Sequence, residues 1–144
     1  MPASLEVLGA GILIVDDQQS NLRLLEFVLR RAGYVGVSST TEPSQVCALH
    51  RRDHYDLIIL DLQMPHMNGF QVMEELAKGE RAVILVLSAD PVQMTRALAA
   101  GAAGFLSKPF VLAEVVARVQ AMLEKTTAAR ASRRRSRKYA ATAL

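Results

Sequence analysis

The run DLIILD, Asp56 to Asp61, sets four consecutive apolar residues between two carboxylates. A strand with one wet face alternates apolar and polar side chains. Four apolar residues in a row instead fit a strand buried on both faces, as in a parallel sheet covered by helices. Working outward, similar runs occur at Ile12 to Val15, Val35 to Val37, Val83 to Leu87 and Phe105 to Leu106. They alternate with helix-like segments at Gln19 to Ala32, Glu42 to Arg52, Gly69 to Lys78, Pro91 to Ala100 and Val111 to Lys125. In the first of these, Leu22, Leu25, Val28 and Leu29 share one helical face before Gly33, a C-terminal stop. Asp90 followed by Pro91 supplies an N-cap and a first-turn proline, and Gly101 a stop. The expected fold class is α/β: a doubly wound, five-stranded parallel sheet with five helices and strand order 2-1-3-4-5.

The chain has 144 residues, 51% of them hydrophobic, which suits one domain with a real core. Its net charge of +3 suggests nucleic acid until the charge is located. Six of the 17 basic residues, Arg130, Arg133, Arg134, Arg135, Arg137 and Lys138, fall in a stretch without an acid. Without them, eleven basic face fourteen acidic residues, so the body carries −3 and the basicity belongs to the tail. The division expected is an N-terminal extension at 1–10, a folded body at 11–125 and a basic tail or linker at 126–144, disordered or frayed helix. Nucleic acid is not the expected partner of the body. The tail, with Tyr139 as its one aromatic, reads better as a solvated linker than as a binding element. No apolar stretch reaches the roughly 20 residues of a membrane span, so a cytoplasmic protein without membrane contact is expected.

Cys47 is the only cysteine, which excludes an intrachain disulfide and a cysteine-built metal site. It reads as a core residue. His50, His54 and His66 lack metal-ligand spacing. Met67, Met73 and Met94 read as packing or surface residues, and Asn68 with Gly69 as a turn before the third helix.

The polar residues that interrupt the apolar pattern fall at one structural position. Asp16 and Asp17 follow the first strand, Asp61 the third, Ser88 the fourth and Lys108 the fifth. In the order 2-1-3-4-5 all of them meet at the carboxyl edge of the sheet. Three adjacent carboxylates repel one another, and a hard divalent cation with oxygen ligands relieves this best, which points to Mg²⁺. A transferring phosphoryl group then accounts for Lys108 and Ser88 as partners of its equatorial oxygens, with Asp61 as nucleophile.

Four segments carry a resemblance: ILIVDDQQSN at Ile12 to Asn21, DLIILDLQMPHMNGF at Asp56 to Phe70, LVLSAD at Leu85 to Asp90 and AAGAAGFLSKPF at Ala99 to Phe110. Together they resemble the receiver domains of two-component response regulators, over residues 11 to about 124. The resemblance implies a flavodoxin-like fold and a chemotaxis-regulator-like switch. It makes Asp61 the phosphoacceptor, and Asp16, Asp17 and Asp61 itself, with the main-chain carbonyl of Gln63, the Mg²⁺ ligands. It makes Lys108 the phosphate-binding lysine, with a cis bond to Pro109, and Ser88 and Phe105 the switch pair. The phosphoryl donor it implies is a histidine kinase or phosphotransfer protein. An output domain outside this sequence, and a homodimer through the fourth helix, fifth strand and fifth helix, are further partners it implies. Catalysis is expected to be confined to the chain's own phosphotransfer and dephosphorylation. Val111 departs from the family by standing where relatives place a capping Asp or Ser. Gln63 and Asp90 occupy variable positions that influence phosphoryl lifetime. The competing reading is a Mg²⁺-dependent phosphatase acting on an external substrate, against which the short loops argue.

Overall fold

The computed structural model describes residues 2–64, 68–79 and 81–142, with side chains described as far as 137. Its elements are α1 (Leu5–Leu8), β1 (Gly11–Val15), α2 (Gln19–Arg31), β2 (Gly36–Thr40), a 3-10 turn (Pro43–Gln45), α3 (Val46–Asp53), β3 (Leu57–Asp61), α4 (Gly69–Lys78), β4 (Ile84–Ser88), α5 (Gln93–Ala99), β5 (Gly104–Ser107) and α6 (Leu112–Thr142). The five strands form one parallel sheet in the order β2-β1-β3-β4-β5.

The apolar runs explain the layering. Alternate residues of each strand face opposite sides. Ile12, Ile14, Leu57, Ile59, Leu85 and Leu87 pack against Leu22, Leu25 and Leu29 of α2 and Val115, Val119 and Leu123 of α6. Leu13, Val15, Ile58, Leu60, Ile84 and Val86 pack against Val46 of α3, Val72, Met73 and Leu76 of α4 and Ala97 of α5. Burying each such side chain contributes about 1.5–3 kcal/mol. Every residue of β3 and β4 is buried, which is why their sequences do not alternate.

Several boundaries differ from the sequence expectation. Among the described residues there are six helices, the expected five being α2 to α6; the extra one lies in the N-terminal extension. Ser4 caps α1, and its Val7 is buried in the core beside β1. Val35 stands outside β2 and is exposed, its N–H bonded to the Leu8 carbonyl at 3.2 Å. The second helix expected begins as the 3-10 turn, and α5 starts after Pro91, where the Asp90 carboxylate accepts the Val92 N–H at 2.9 Å. At the end of α2, Gly33 takes φ +107°, and the Gly33 and Tyr34 N–H groups bond back to Arg30 and Leu29.

The tail, expected as disordered or frayed helix, is helical as far as Thr142. α6 continues past Lys125 to Thr142, through alanines and arginines of high helix propensity with no Gly or Pro to stop it. Arg130 is ion-paired with Asp56, whose other carboxylate oxygen accepts the Gly11 N–H at 2.8 Å. The extension is thus tied to the amino-terminal edge of the sheet, opposite the carboxyl edge.

Candidate functional site

The register of the sheet brings the polar residues together. Val15 lies opposite Leu60, so Asp16 and Asp61 leave neighbouring strands side by side. Ser88 ends β4 opposite Ser107, and the Lys108 N–H donates to the Ser88 carbonyl at 2.8 Å. The Lys108–Pro109 peptide bond is cis.

Asp16, Asp17 and Asp61 each offer a carboxylate oxygen, and the three oxygens lie within 4.8 Å of one another. Asp16 and Asp61 are buried and Asp17 is partly exposed. The Lys108 ammonium stands 3.4 Å from Asp61 and 3.8 Å from Asp16. Burial raises the Asp61 pKa above the ordinary carboxylate value; Lys108 and the Gln63 N–H, which donates to its Oδ1 at 3.1 Å, pull the other way, while Asp16 adds to the rise. A site of this kind can hold a hard cation with oxygen ligands while leaving a lysine for an anion.

Neighbouring groups fix these side chains. Asp16 accepts the Gln18 N–H at 2.9 Å and the Asn21 amide at 3.2 Å. Asn68 caps α4 in a reciprocal capping box with Gln71. Gly69 opens that helix against the end of β3, and a Cβ there would lie 2.7 Å from the Asp61 carbonyl oxygen and from the Leu62 Cα. In sequence Asn68 and Gly69 read as a simple turn, and the close approach of Gly69 is visible only in three dimensions. Ser88 is fully buried; its hydroxyl donates to Gln93 Oε1 at 2.7 Å and accepts the Asp90 N–H at 3.1 Å. Sequence reasoning singled out neither Asn21 nor Gln93. Each stands on the first turn of a helix beside the site, a placement the pattern alone left unweighted.

Phe105 lies opposite Val86, half-buried against the second core face. Of the histidines, His50 is buried in a structural role, with Nε2 3.0 Å from the Arg81 carbonyl and Nδ1 accepting the Tyr55 N–H. His66 and Met67 lie outside the described residues. Val111 is exposed at the start of α6, and only its carbonyl serves there, accepting the Glu114 and Val115 N–H groups.

Comparison with known proteins decides the family. The family model for the response regulator receiver domain matches residues 12–120. The chain belongs to that family. Its receiver domain is 34% identical over 116 residues to the transcriptional regulatory protein HprR of Escherichia coli, covering 79% of this chain and 52% of that protein. It is 33% identical over 117 residues to the response regulator ArlR of Staphylococcus saprophyticus, covering 79% of this chain and 52% of that one. The chain thus spans about half the length of the curated relatives it matches. Among solved structures, the receiver domain superposes on the Vibrio cholerae chemotaxis protein CheY4 with a TM-score of 0.71 at 28% identity, covering 79% of this chain and 98% of that one. The N-terminal domain of the nisin resistance regulator NsrR gives 0.71 at 34% identity, covering 79% and 97%. Receiver domains are phosphorylation-controlled switches that bind Mg²⁺ at an acidic site. Among the described residues, no helix is long and apolar enough to cross a membrane.

Proposed function

We propose that Asp61 accepts a phosphoryl group from the phosphohistidine of a histidine kinase or phosphotransfer protein, and that the resulting aspartyl phosphate switches a partner-binding surface. The observation that carries this reading is the Lys108 ammonium set between Asp61 and Asp16, beside three carboxylates that converge on one point. A carboxylate oxygen of Asp61 attacks phosphorus, a P–O bond forms, the P–N bond to the donor imidazole breaks, and that nitrogen leaves with the bonding pair. Asp16, Asp17 and Asp61, with the main-chain carbonyl of Gln63, would hold Mg²⁺, which supplies charge neutralisation to the phosphoryl oxygens. Lys108 pairs with a second oxygen, and Ser88 donates to a third once its hydroxyl turns. Phe105 moves inward with that turn, altering the surface of α5 and β5.

The output partner is a domain or protein outside this sequence, and the setting is cytoplasmic. A homodimer through α5, β5 and α6 belongs to the same reading, supported by Val92, Met94 and Leu98, which are exposed on and beside α5. Catalysis is limited to the chain's own phosphotransfer and dephosphorylation.

Incubation with acetyl phosphate and Mg²⁺, followed by intact-mass spectrometry, tests the reading. One phosphoryl group per chain is expected, lost on chelating the metal and in Asp61→Ala. Modification that survives Asp61→Ala would overturn it, and steady turnover of a separate phosphomonoester would favour a phosphatase instead.

A further inference from the structure

The Ser88 hydroxyl has one proton, and in this structure that proton is committed. It points to Gln93 Oε1, 2.7 Å away on the first turn of α5, while the hydroxyl oxygen accepts the Asp90 N–H at 3.1 Å. Ser88 is fully buried, so breaking either bond leaves a polar atom without water to replace its partner. A hydroxyl so engaged cannot donate to an oxygen on Asp61. Gln93 is only half-buried and its backbone N–H is separately bonded to the Asp90 carbonyl at 3.1 Å, so its amide side chain can leave Ser88 without unwinding the turn.

We infer that Gln93 is a positioning residue that latches the Ser88 hydroxyl away from the phosphoacceptor and must release it before the phosphorylated state forms. The inference rests on the reading of Asp61 as phosphoacceptor. The phosphoryl oxygen and Gln93 Oε1 compete for one proton, so the latch sets the resting balance between the two states. Release also frees the Gln93 side chain at the start of α5, next to exposed Val92 and Met94, which gives the site a direct mechanical link to that helix.

The test is the affinity for beryllofluoride, a phosphoryl mimic, in saturating Mg²⁺, followed by amide NMR. Gln93→Leu removes the acceptor and is expected to bind the mimic about fivefold more tightly, the equivalent of one neutral hydrogen bond. Gln93→Ala should move the same way. Gln93→Glu keeps an acceptor oxygen, strengthened by charge, and should bind more weakly than wild type. Damage to packing alone would move all three variants in one direction. In a Ser88→Ala background the Gln93→Leu gain should vanish, as a direct coupling requires. An unchanged or weakened Gln93→Leu, or a gain that persists without the Ser88 hydroxyl, overturns the inference while leaving the Asp61 reading intact. A wild-type chain that binds no beryllofluoride overturns the Asp61 reading and the latch with it.

Discussion

The Lys108 ammonium lies 3.4 Å from the Asp61 carboxylate although the two residues are 47 positions apart and join the sheet through β5 and β3, which are not neighbours. β4 stands between them, and the Lys108 N–H bond to the Ser88 carbonyl brings the lysine back across it. One cation therefore serves two buried carboxylates, and it competes with any metal for the same charge.

Lys108→Ala should separate these two effects. Removing a neighbouring cation relieves repulsion on an incoming Mg²⁺, so metal affinity is expected to rise several-fold, of the order of one partly screened charge interaction. Acyl-phosphate formation should fall by about tenfold or more, because a transition-state charge partner is lost. Calorimetric Mg²⁺ titration and intact-mass kinetics measure the two.

Asp61→Asn should stabilise the metal-free protein. Burial raises the Asp61 pKa, so the folded state holds its proton to higher pH than the unfolded chain does. Stability therefore declines as pH rises from the unfolded value of about 3.9 through the raised folded value, and the penalty is complete above it. The Asn variant escapes this penalty. Its gain should be present at neutral pH and disappear below about pH 4. Mg²⁺ should shrink it by stabilising wild type, which thermal melts with and without the metal would reveal.

Gly69→Ala tests how the site is supported. The added methyl would meet backbone at 2.7 Å on both the Asp61 carbonyl and Leu62, where no flexible side chain can yield. A loss of about 2–3 kcal/mol is expected by chemical denaturation, with a parallel fall in Mg²⁺ affinity as β3 and α4 separate. A neutral substitution would show that the close packing is not needed to hold Asp61.

Asp56→Ala should loosen the α6 extension. Asp56 joins the Gly11 N–H to Arg130, so its loss leaves Arg130 unpaired among the described residues and removes the tie to the sheet. Hydrogen exchange is expected to quicken from Thr126 onward while α6 before Leu123, packed in the core, keeps its protection.

The fold was legible because its strands are buried on both faces: runs such as Leu57 to Leu60 and Ile84 to Leu87 have few other physical readings. Convergence of Asp16, Asp17, Asp61, Ser88 and Lys108 followed from strand order alone. What escaped the sequence depends on tertiary approach. Gly69 resembles any turn glycine until the Asp61 backbone is set against it, and Gln93 resembles any helix-start glutamine until Ser88 points at it. The sequence left the tail past Lys125 open between frayed helix and linker for another reason. Its described side chains past Lys125, as far as Arg137, bury no apolar stripe, so periodicity gives no sign, and its alanine and arginine propensity and the Arg130 pairing hold it in place of a core.

The most direct measurement of the central claim is the position of the phosphoryl group. Borohydride reduction of the protein treated with acetyl phosphate and Mg²⁺ converts an aspartyl phosphate to homoserine, which peptide mass mapping locates. Homoserine is expected at Asp61 and at no other aspartate. Homoserine at Asp16 or Asp17, or none anywhere despite Mg²⁺ binding, would contradict it.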